Sequence, residues 1–259
     1  MSESWTTLKV LDWTAGRFER AGVDTARLDA QVLLAHVLGC PRVALYTNFD
    51  QPLGEAELAQ YRALIQRRLQ GEPVAYLTGQ QEFWSLRFQV DSRVLIPRPD
   101  TETLVQVALE LGDSLGGVDA SLQVAEIATG SGAVAVSLAH ERKNWALVAT
   151  DISDEALAVA VGNAEQNQVA GQIDFRSGNL LAPLGEQRFG LVVSNLPYIS
   201  RADMESLPAD VRHEPRGALY GGEMGTELIA DMVGALSDRL QDSGWVALEH
   251  GFDQAEAVG

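Results

Sequence analysis

Residues 124–135 read Val-Ala-Glu-Ile-Ala-Thr-Gly-Ser-Gly-Ala-Val-Ala, two apolar runs joined by a glycine-rich turn. The first run predicts a buried strand over Val124–Ala128, and the second begins a helix over Gly132–Ala139. Glycines at such a turn let the backbone approach a ligand closely, and the helix N-terminus presents free amide groups. The stretch therefore predicts a strand–turn–helix unit whose turn can hold a ligand; a tight turn without a ligand is the alternative.

The same alternation of strand and helix continues beyond this unit. The further predicted strands are Trp145–Thr150, Ile173–Phe175, Leu191–Ser194 and Trp245–Leu248, and the further helices are Ala156–Ala164 and Gly225–Leu240. Strands that alternate with helices favour a parallel sheet with right-handed crossovers. The predicted fold class is therefore α/β, with a doubly wound sheet.

The first 72 residues differ, because their apolar residues recur at the helical spacing of three and four. The predicted buried positions are Leu8, Leu11, Ala15 and Phe18 in a first helix and Leu28, Val32, Leu33, Ala35 and Val37 in a second. A third helix runs from about Gly54 to Gly71. We predict a small helical bundle over 1–72, either a structural cap or a docking domain, and a hairpin linker over 73–99.

Composition limits the possible partners and the compartment. The chain has 259 residues and a net charge of −17, from 19 basic and 36 acidic side chains. Nucleic-acid binders usually carry a basic patch; here the densest basic segment has only Arg62, Arg67 and Arg68, and we expect a solvated helix face. An acidic surface suits a basic protein partner. No direct nucleic-acid binding is expected.

Residues 1–5 lack a basic region followed by an apolar run, so no secretory signal is expected. No stretch reaches the roughly 20 apolar residues of a membrane span. The single cysteine, Cys40, fits a reducing compartment. These features predict a cytoplasmic protein. The four histidines are scattered, so no metal site is predicted, and a monomer is the default expectation.

Two cofactors suit the glycine turn. Residues 130–135 satisfy the G-x-G-x-x-A dinucleotide pattern, and Asp151 ends the second predicted strand of the sheet. A carboxylate at that place accepts hydrogen bonds from two ribose hydroxyls. Either NAD or S-adenosylmethionine has such a ribose, so this turn alone leaves both open.

A second motif, Asn195-Leu196-Pro197-Tyr198, ends the fourth predicted strand of the sheet. Ligands collect beyond the carboxyl ends of the strands in open α/β sheets. We hypothesise that the Asn195 side chain and the Leu196 carbonyl hold a substrate amide nitrogen, with Tyr198 as a flat wall. An ordinary turn is the alternative. Methyl transfer to nitrogen depends mainly on orientation, and no proton relay for a dehydrogenase stands out, so the motif favours S-adenosylmethionine.

These motifs together resemble the release factor glutamine methyltransferases. The resemblance includes Gly71–Gly79, Leu95–Glu102, the glycine turn, Asp151, Ser194–Ile199, Asp210–Pro215 and Glu249-His250-Gly251. It implies a Rossmann-like methyltransferase that uses S-adenosyl-L-methionine to methylate the glutamine side-chain nitrogen (N5) in the Gly-Gly-Gln motif of class 1 peptide chain release factors. It also implies that residues 1–72 help dock the release factor and that residues 100–259 form the methyltransferase domain.

The site residues that we predict on this basis fall into two groups. The catalytic residues are Asn195, Leu196, Pro197 and Tyr198. The cofactor-binding residues are Glu126, Ala128, Thr129, Gly130, Ser131, Gly132, Asp151, Asn179 and Asn195.

The chain departs from the family pattern at several places. Leu196 replaces the first proline of Asn-Pro-Pro-Tyr, Ala128 replaces a glycine, and Gly178 and Asn179 stand where the family often has an acidic residue and an aromatic near the adenine. The chain also ends before the family's final helix and hairpin, which suggests C-terminal truncation. Three alternatives remain at this point: an rRNA adenine-N6 methyltransferase, an NAD-dependent oxidoreductase and a non-catalytic release-factor binder.

Overall fold

The computed structural model describes residues 5–258. Residues 1–4, which belong to the segment in which no secretory signal is expected, and Gly259 lie outside the described residues. The chain divides into two compact units: the first runs to Gly79 and includes Ala209–His213, and the second comprises Gln80–Pro208 and the residues from Glu214 onward. Among the helices described, none is both long and apolar enough to cross a membrane.

The first unit is helical, as predicted. Its helices are α1 (Thr7–Arg20), α2 (Ala26–Leu38), α3 (Ala44–Thr47), α4 (Glu55–Leu69) and α5 (Val74–Thr78). Phe18, Leu33 and Leu34 have no exposed surface. The prediction was wrong for Leu8 and Leu28, which are 41% and 42% exposed. Each precedes a buried residue by two positions, so it lies about 200° around the helix from that residue, on the outer face.

The basic segment of α4 is also less solvated than the sequence suggests. Arg68 donates from Nε to Asp29 Oδ2 at 2.7 Å, and both side chains are largely buried. Arg67 pairs with Glu72. Two of the three arginines in this segment are therefore already bound to carboxylates, which leaves little basic surface here.

The second unit contains the α/β sheet. Its elements are β1 (Gln80–Phe83), β2 (Leu86–Gln89), α6 (Glu102–Ser114), β3 (Leu122–Ile127), α7 (Ala133–Glu141), β4 (Trp145–Asp151), α8 (Asp154–Gln166), β5 (Ile173–Ser177), β6 (Phe189–Ser194), β7 (Ile199–Ser200), β8 (Tyr220–Gly222), α9 (Glu227–Gly234), β9 (Leu240–Leu248) and α10 (Ala255–Val258). Five strands form a parallel sheet in the order β5-β4-β3-β6-β9. The predicted doubly wound α/β sheet is confirmed.

Strand register aligns the ends of four of these strands. Ile127 lies opposite both Thr150 and Ser194, and Ser194 lies opposite Leu248. The chain reverses its direction of winding between β3 and β6, and this reversal opens a crevice at the carboxyl edge. The residues that follow these four positions at that edge are Ala128, Asp151, Asn195 and Glu249.

The segment before β9 differs from the prediction. The predicted helix Gly225–Leu240 ends at Gly234, and a short 3-10 turn, Leu236–Asp238, follows it. The chain must turn there because the Arg239 carbonyl accepts a hydrogen bond from Phe189 of β6. β9 then pairs at Leu240, makes a bulge over residues 241–244, and regains its register at Trp245.

The predicted hairpin is formed by β1 and β2, which pair antiparallel. Trp84 and Ser85 at its tip both have positive φ, 52° and 59°, as a two-residue hairpin turn of type I′ requires. Phe83 and Phe88 are buried against each other, with ring centroids 6.1 Å apart. The segment boundaries at residues 72 and 99 stay a prediction.

A buried side chain links this hairpin to the glycine turn. Asn163 of α8 has no exposed surface; it accepts a hydrogen bond from Gln89 N at 2.6 Å and donates to Gln89 O at 3.0 Å. It also donates to the Ser131 carbonyl at 2.8 Å. One amide therefore satisfies three backbone groups from two separate parts of the chain.

We expect Asn163→Ala to lower the free energy of unfolding by about 3 kcal/mol, because it leaves buried backbone groups without partners. Gln166→Ala is the matched control, since Gln166 is on the same helix and also contacts the hairpin but is exposed; about 0.5 kcal/mol is expected there. Urea unfolding measures both. Equal losses for the two variants would contradict the bridging role of Asn163.

Candidate active site

A cavity of about 460 Å³ opens at the carboxyl edge of the sheet. Ten of the predicted site residues line it: Glu126, Ala128, Thr129, Gly130, Ser131, Asp151, Asn179, Asn195, Leu196 and Pro197. Gly132 and Tyr198 are not among its lining residues. The structure therefore brings the glycine turn, the end of β4 and the end of β6 to one cavity.

Asp151 and Gly130 are directly linked on the cavity wall. The Gly130 N–H donates to Asp151 Oδ2 at 2.8 Å, and the Ser153 N–H donates to Oδ1 at 2.9 Å. These two bonds hold the carboxylate, and each oxygen retains lone-pair capacity for a ligand hydroxyl. Gly130 has φ of 55°, and a Cβ added to it would meet no atom within 4 Å. The turn is therefore open on the ligand side.

Gly132 has a packing role in the structure. A Cβ added to it would lie 3.1 Å from the Cβ of Ala160 on α8, and its φ is 79°. A glycine at this position lets α7 begin close against α8. Gly132 does not line the cavity, so its role in cofactor binding stays a prediction.

Ala128 adopts a left-handed backbone conformation, with φ of 60°. A residue with a Cβ pays roughly 1–2 kcal/mol for this conformation, which glycine adopts freely. The departure from the family's glycine thus has a physical cost at the first residue beyond β3.

Glu126 is buried at the base of the cavity, with 3% of its surface exposed. Its Oε2 accepts hydrogen bonds from the Thr129 hydroxyl and from the Ala135 N–H. Burial raises the pKa of Glu126 to about 8; the two hydrogen bonds oppose this shift and the nearby Asp151 adds to it. The carboxyl group connects β3, the turn and α7, so it organises the loop from beneath.

Asn195 directs its amide group to the 3-10 turn Pro99–Thr101, which precedes α6. Its Nδ2 donates to the Thr101 Oγ1 at 3.1 Å. This orientation leaves the Oδ1 acceptor available to a ligand. Leu196 is buried with only 3% exposure, and its neighbour Pro197 cannot donate a backbone hydrogen bond.

Tyr198 faces a second cavity of about 1080 Å³, which adjoins the end of β9. Asp100, Glu249 and His250 line the same space. The Tyr198 hydroxyl donates to Glu249 Oε1 at 3.4 Å. Burial raises the pKa of Tyr198, and the charge of Glu249 adds to the shift. The four residues of the motif therefore divide between two spaces.

Sequence reasoning did not assign roles to several residues at these cavities. Thr101, Arg98 and Ile152 line the first cavity, and Ile152 is 72% exposed. Arg98 donates to the buried Glu214, which also accepts from the Ile96 N–H. The resemblance to the family included Leu95–Glu102 and Glu249, so it marked Arg98 and Thr101 as motif residues. It gave no information about which side chains these residues contact.

The raised pKa of Glu126 predicts a specific pH dependence. Between the usual carboxyl pKa and about 8, the folded protein holds a proton that the unfolded chain has lost, so stability falls as pH rises. Relative to Glu126→Gln, which does not titrate, the free energy of unfolding of the unmodified protein should fall by about 2–3 kcal/mol from pH 5.5 to 7.5. Denaturant titrations at the two pH values check this. Parallel changes in both proteins would show that Glu126 does not titrate in this range.

Ala128→Gly is expected to raise the free energy of unfolding by about 1 kcal/mol, because it relieves the left-handed backbone. Ala230→Gly on α9 is the control: Ala230 is exposed within a helix, and its replacement should cost about 1 kcal/mol. Thermal and urea unfolding compare the two. A loss of stability in both variants would rule out strain at Ala128.

Two family models match the chain. The PrmC N-terminal domain matches residues 9–79, and the methyltransferase small domain matches residues 111–211. Among solved structures, the hMettl16 catalytic domain in complex with an RNA hairpin has a TM-score of 0.54 at 16% identity, covering 78% of this chain and 69% of that one. That similarity supports the fold alone.

Curated relatives cover nearly the whole chain. The release factor glutamine methyltransferase of Geobacter sulfurreducens is 44% identical over 99% of this chain and 88% of its own length. Those of Rhodopirellula baltica and Burkholderia pseudomallei are 40% and 44% identical, over 95% and 97% of this chain and 83% and 88% of their own lengths. With the sheet, the cavity and both motifs in place, the chain belongs to the release factor glutamine methyltransferase family of S-adenosylmethionine-dependent methyltransferases.

Proposed function

We propose that this protein methylates the side-chain amide nitrogen (N5) of the glutamine in the Gly-Gly-Gln motif of class 1 peptide chain release factors. The observation that carries this proposal is that Asp151, the glycine turn and the Asn195-Leu196 pair line one cavity. A cofactor site and an amide acceptor site are therefore adjacent, as direct methyl transfer between them requires. The kinship with the curated relatives does not favour the RNA methyltransferase or the non-catalytic binder.

The cavity suits S-adenosylmethionine in size and chemistry. Its volume of about 460 Å³ lies in the usual range for small-ligand sites. The Asp151 carboxylate offers acceptors for the ribose hydroxyls, Ile152 offers an apolar surface to the adenine, and the open face of Gly130 admits close approach of the methionine part. Asn179 is exposed beside them. When bound there, the cofactor supplies a methyl group activated by its sulfonium.

The acceptor residues would hold the glutamine amide by its two N–H groups. Asn195 Oδ1 accepts one and the Leu196 carbonyl accepts the other. An amide nitrogen is a weak nucleophile because its lone pair is delocalised; acceptors on both hydrogens favour the positive charge that builds on nitrogen during transfer. Pro197 restricts Leu196 to extended conformations and so helps aim its carbonyl. Tyr198 would form the wall where the substrate segment passes the second cavity.

For partner binding, we propose that residues 1–72 dock the release factor and that residues 100–259 carry the chemistry. The net charge of −17 suits a basic partner. The first unit also exposes several aromatic side chains, which are common anchors in protein interfaces: Trp5, Trp13, Tyr46 and Phe49. We further propose that the protein acts in the cytoplasm as a monomer, without direct nucleic-acid contact and without a metal ion.

The test of this function is incubation of the protein with labelled S-adenosylmethionine and a class 1 release factor. Label should enter the release factor and should be lost when the Gly-Gly-Gln glutamine is replaced by alanine. Equal labelling of the unmodified release factor and of its alanine variant would refute this glutamine as the methyl acceptor. Label entering ribosomal RNA instead would support the RNA methyltransferase alternative.

Two variants should separate the acceptor from the cofactor site. Asn195→Ala should lower kcat by roughly a hundred-fold or more and leave the dissociation constant of S-adenosylmethionine within about two-fold, since it removes transition-state positioning. Asp151→Ala should mainly weaken cofactor binding. Calorimetry and steady-state kinetics measure both effects. Unchanged turnover in Asn195→Ala would remove Asn195 from the acceptor role.

A further inference from the structure

Glu249 occupies the position beside Asn195 where two neighbouring strands end. Its backbone N–H donates to the Ser194 carbonyl at 3.0 Å, one residue before Asn195. This bond extends the pairing of β6 and β9 by one step beyond Leu248. The backbone of Glu249 is therefore held by a hydrogen bond to the neighbouring strand.

The carboxylate of Glu249 is turned into the protein. Its Oε1 accepts from the Tyr198 hydroxyl at 3.4 Å, whereas its Oε2 is buried and makes no hydrogen bond with the described residues. An unsatisfied buried oxygen costs about 1–3 kcal/mol, so a fold selected for stability alone would not favour this group. This oxygen is therefore available as an acceptor at the edge of the site.

Thr101 is hydrogen-bonded to Asn195. Its Oγ1 accepts the Asn195 Nδ2–H, so the hydroxyl proton of Thr101 must be donated elsewhere. Burial raises the pKa of Glu249 and the charge of Asp100 adds to the shift, while interactions with the side chains of Thr101, Tyr198 and Asn195 oppose it. All three polar groups therefore lie close enough to the carboxylate to stabilise its charged form.

We propose that Glu249 is a positioning residue for the acceptor site, a role that rests on the proposed function. An ionised carboxylate can only accept hydrogen bonds. Its Oε2 is the acceptor toward which the Thr101 hydroxyl turns as donor. Thr101 Oγ1 is then left as the acceptor for Asn195 Nδ2–H, and Asn195 Oδ1 faces the cavity. Without this carboxylate, the Asn195 amide can rotate by 180° and present N–H donors to the substrate amide, whose own hydrogens they would repel. The hydrogen bond from the Tyr198 hydroxyl to Glu249 Oε1 likewise fixes the orientation of the Tyr198 ring at the second cavity.

The test is Glu249→Gln, which keeps the size of the side chain but adds donors. We expect kcat with a release factor to fall about ten- to a hundred-fold, as for a small misplacement of a reacting group. The dissociation constant of S-adenosylmethionine should stay within about two-fold, and the thermal midpoint should not fall. Glu223→Gln is the matched control, because Glu223 is an exposed glutamate paired with Arg201; its kcat should match that of the unmodified protein.

A double variant tests the route of the effect. If Glu249 acts through Asn195, then Glu249→Gln should cause little further loss of kcat in an Asn195→Ala background. Thr101→Val removes the connecting hydroxyl and should lower kcat to a similar extent; it also serves if Glu249→Gln fails to fold.

The outcomes distinguish this proposal from the function on which it rests. A normal kcat in a folded Glu249→Gln protein, with a strong loss in Asn195→Ala, would overturn the positioning role alone. Multiplicative losses in the double variant would also overturn it. A normal kcat in Asn195→Ala would instead refute the proposed acceptor site.

Discussion

The parallel register of four strands is the constraint on which the site depends. Ile127 pairs with both Thr150 and Ser194, and Ser194 pairs with Leu248. The next residue of each strand therefore emerges at the same edge, although these residues come from distant parts of the chain. A slip of one residue in any of these strands would turn its side chains to the opposite face of the sheet. The precision of the site is thus a property of backbone hydrogen bonding in the sheet.

The same edge concentrates polar groups that the interior tolerates poorly. Glu126 is buried beneath the glycine turn, and the Ser194 hydroxyl donates to the Ile127 carbonyl at 2.7 Å. The fully buried strand β6 offsets these costs, because every one of its residues is buried and its apolar side chains pack on both faces of the sheet. Apolar packing away from the edge therefore allows a polar, partly strained edge to persist.

The sequence predicted the sheet well because its strands are short, β-branched and apolar, and glycine or polar residues follow them. It also placed Asp151 and Asn195 at strand ends, where the structure has them. It misassigned the end of α9 because residues 235–240 are compatible with a helix, and only the pairing of β9 with β6 makes the chain turn. Leu8 and Leu28 were predicted on the wrong face of their helices, because a leucine on the exposed face of a helix fits the helical spacing almost as well as a buried one.

The contacts within the site were harder to predict. Asn195, Leu196 and Pro197 line the first cavity and Tyr198 lines the second, a division that the four-residue motif alone does not encode. Glu249 meets Asn195 only through strand register, which local patterns do not encode. The roles of these residues stay predictions.

The bulge in β9 separates the part of the strand that varies in pairing, residues 241–244, from the part that positions Glu249, Trp245–Leu248. Residues 241–244 leave the ladder between the pair Phe189–Leu240 and the pair Leu191–Trp245. Because these residues are not paired with β6 in the ladder, we expect a change of length in this segment to leave the register of Trp245–Leu248 in place. Evolution can therefore vary the chain length here, at the end of the sheet away from the cavity, while Glu249 keeps its place beside Asn195.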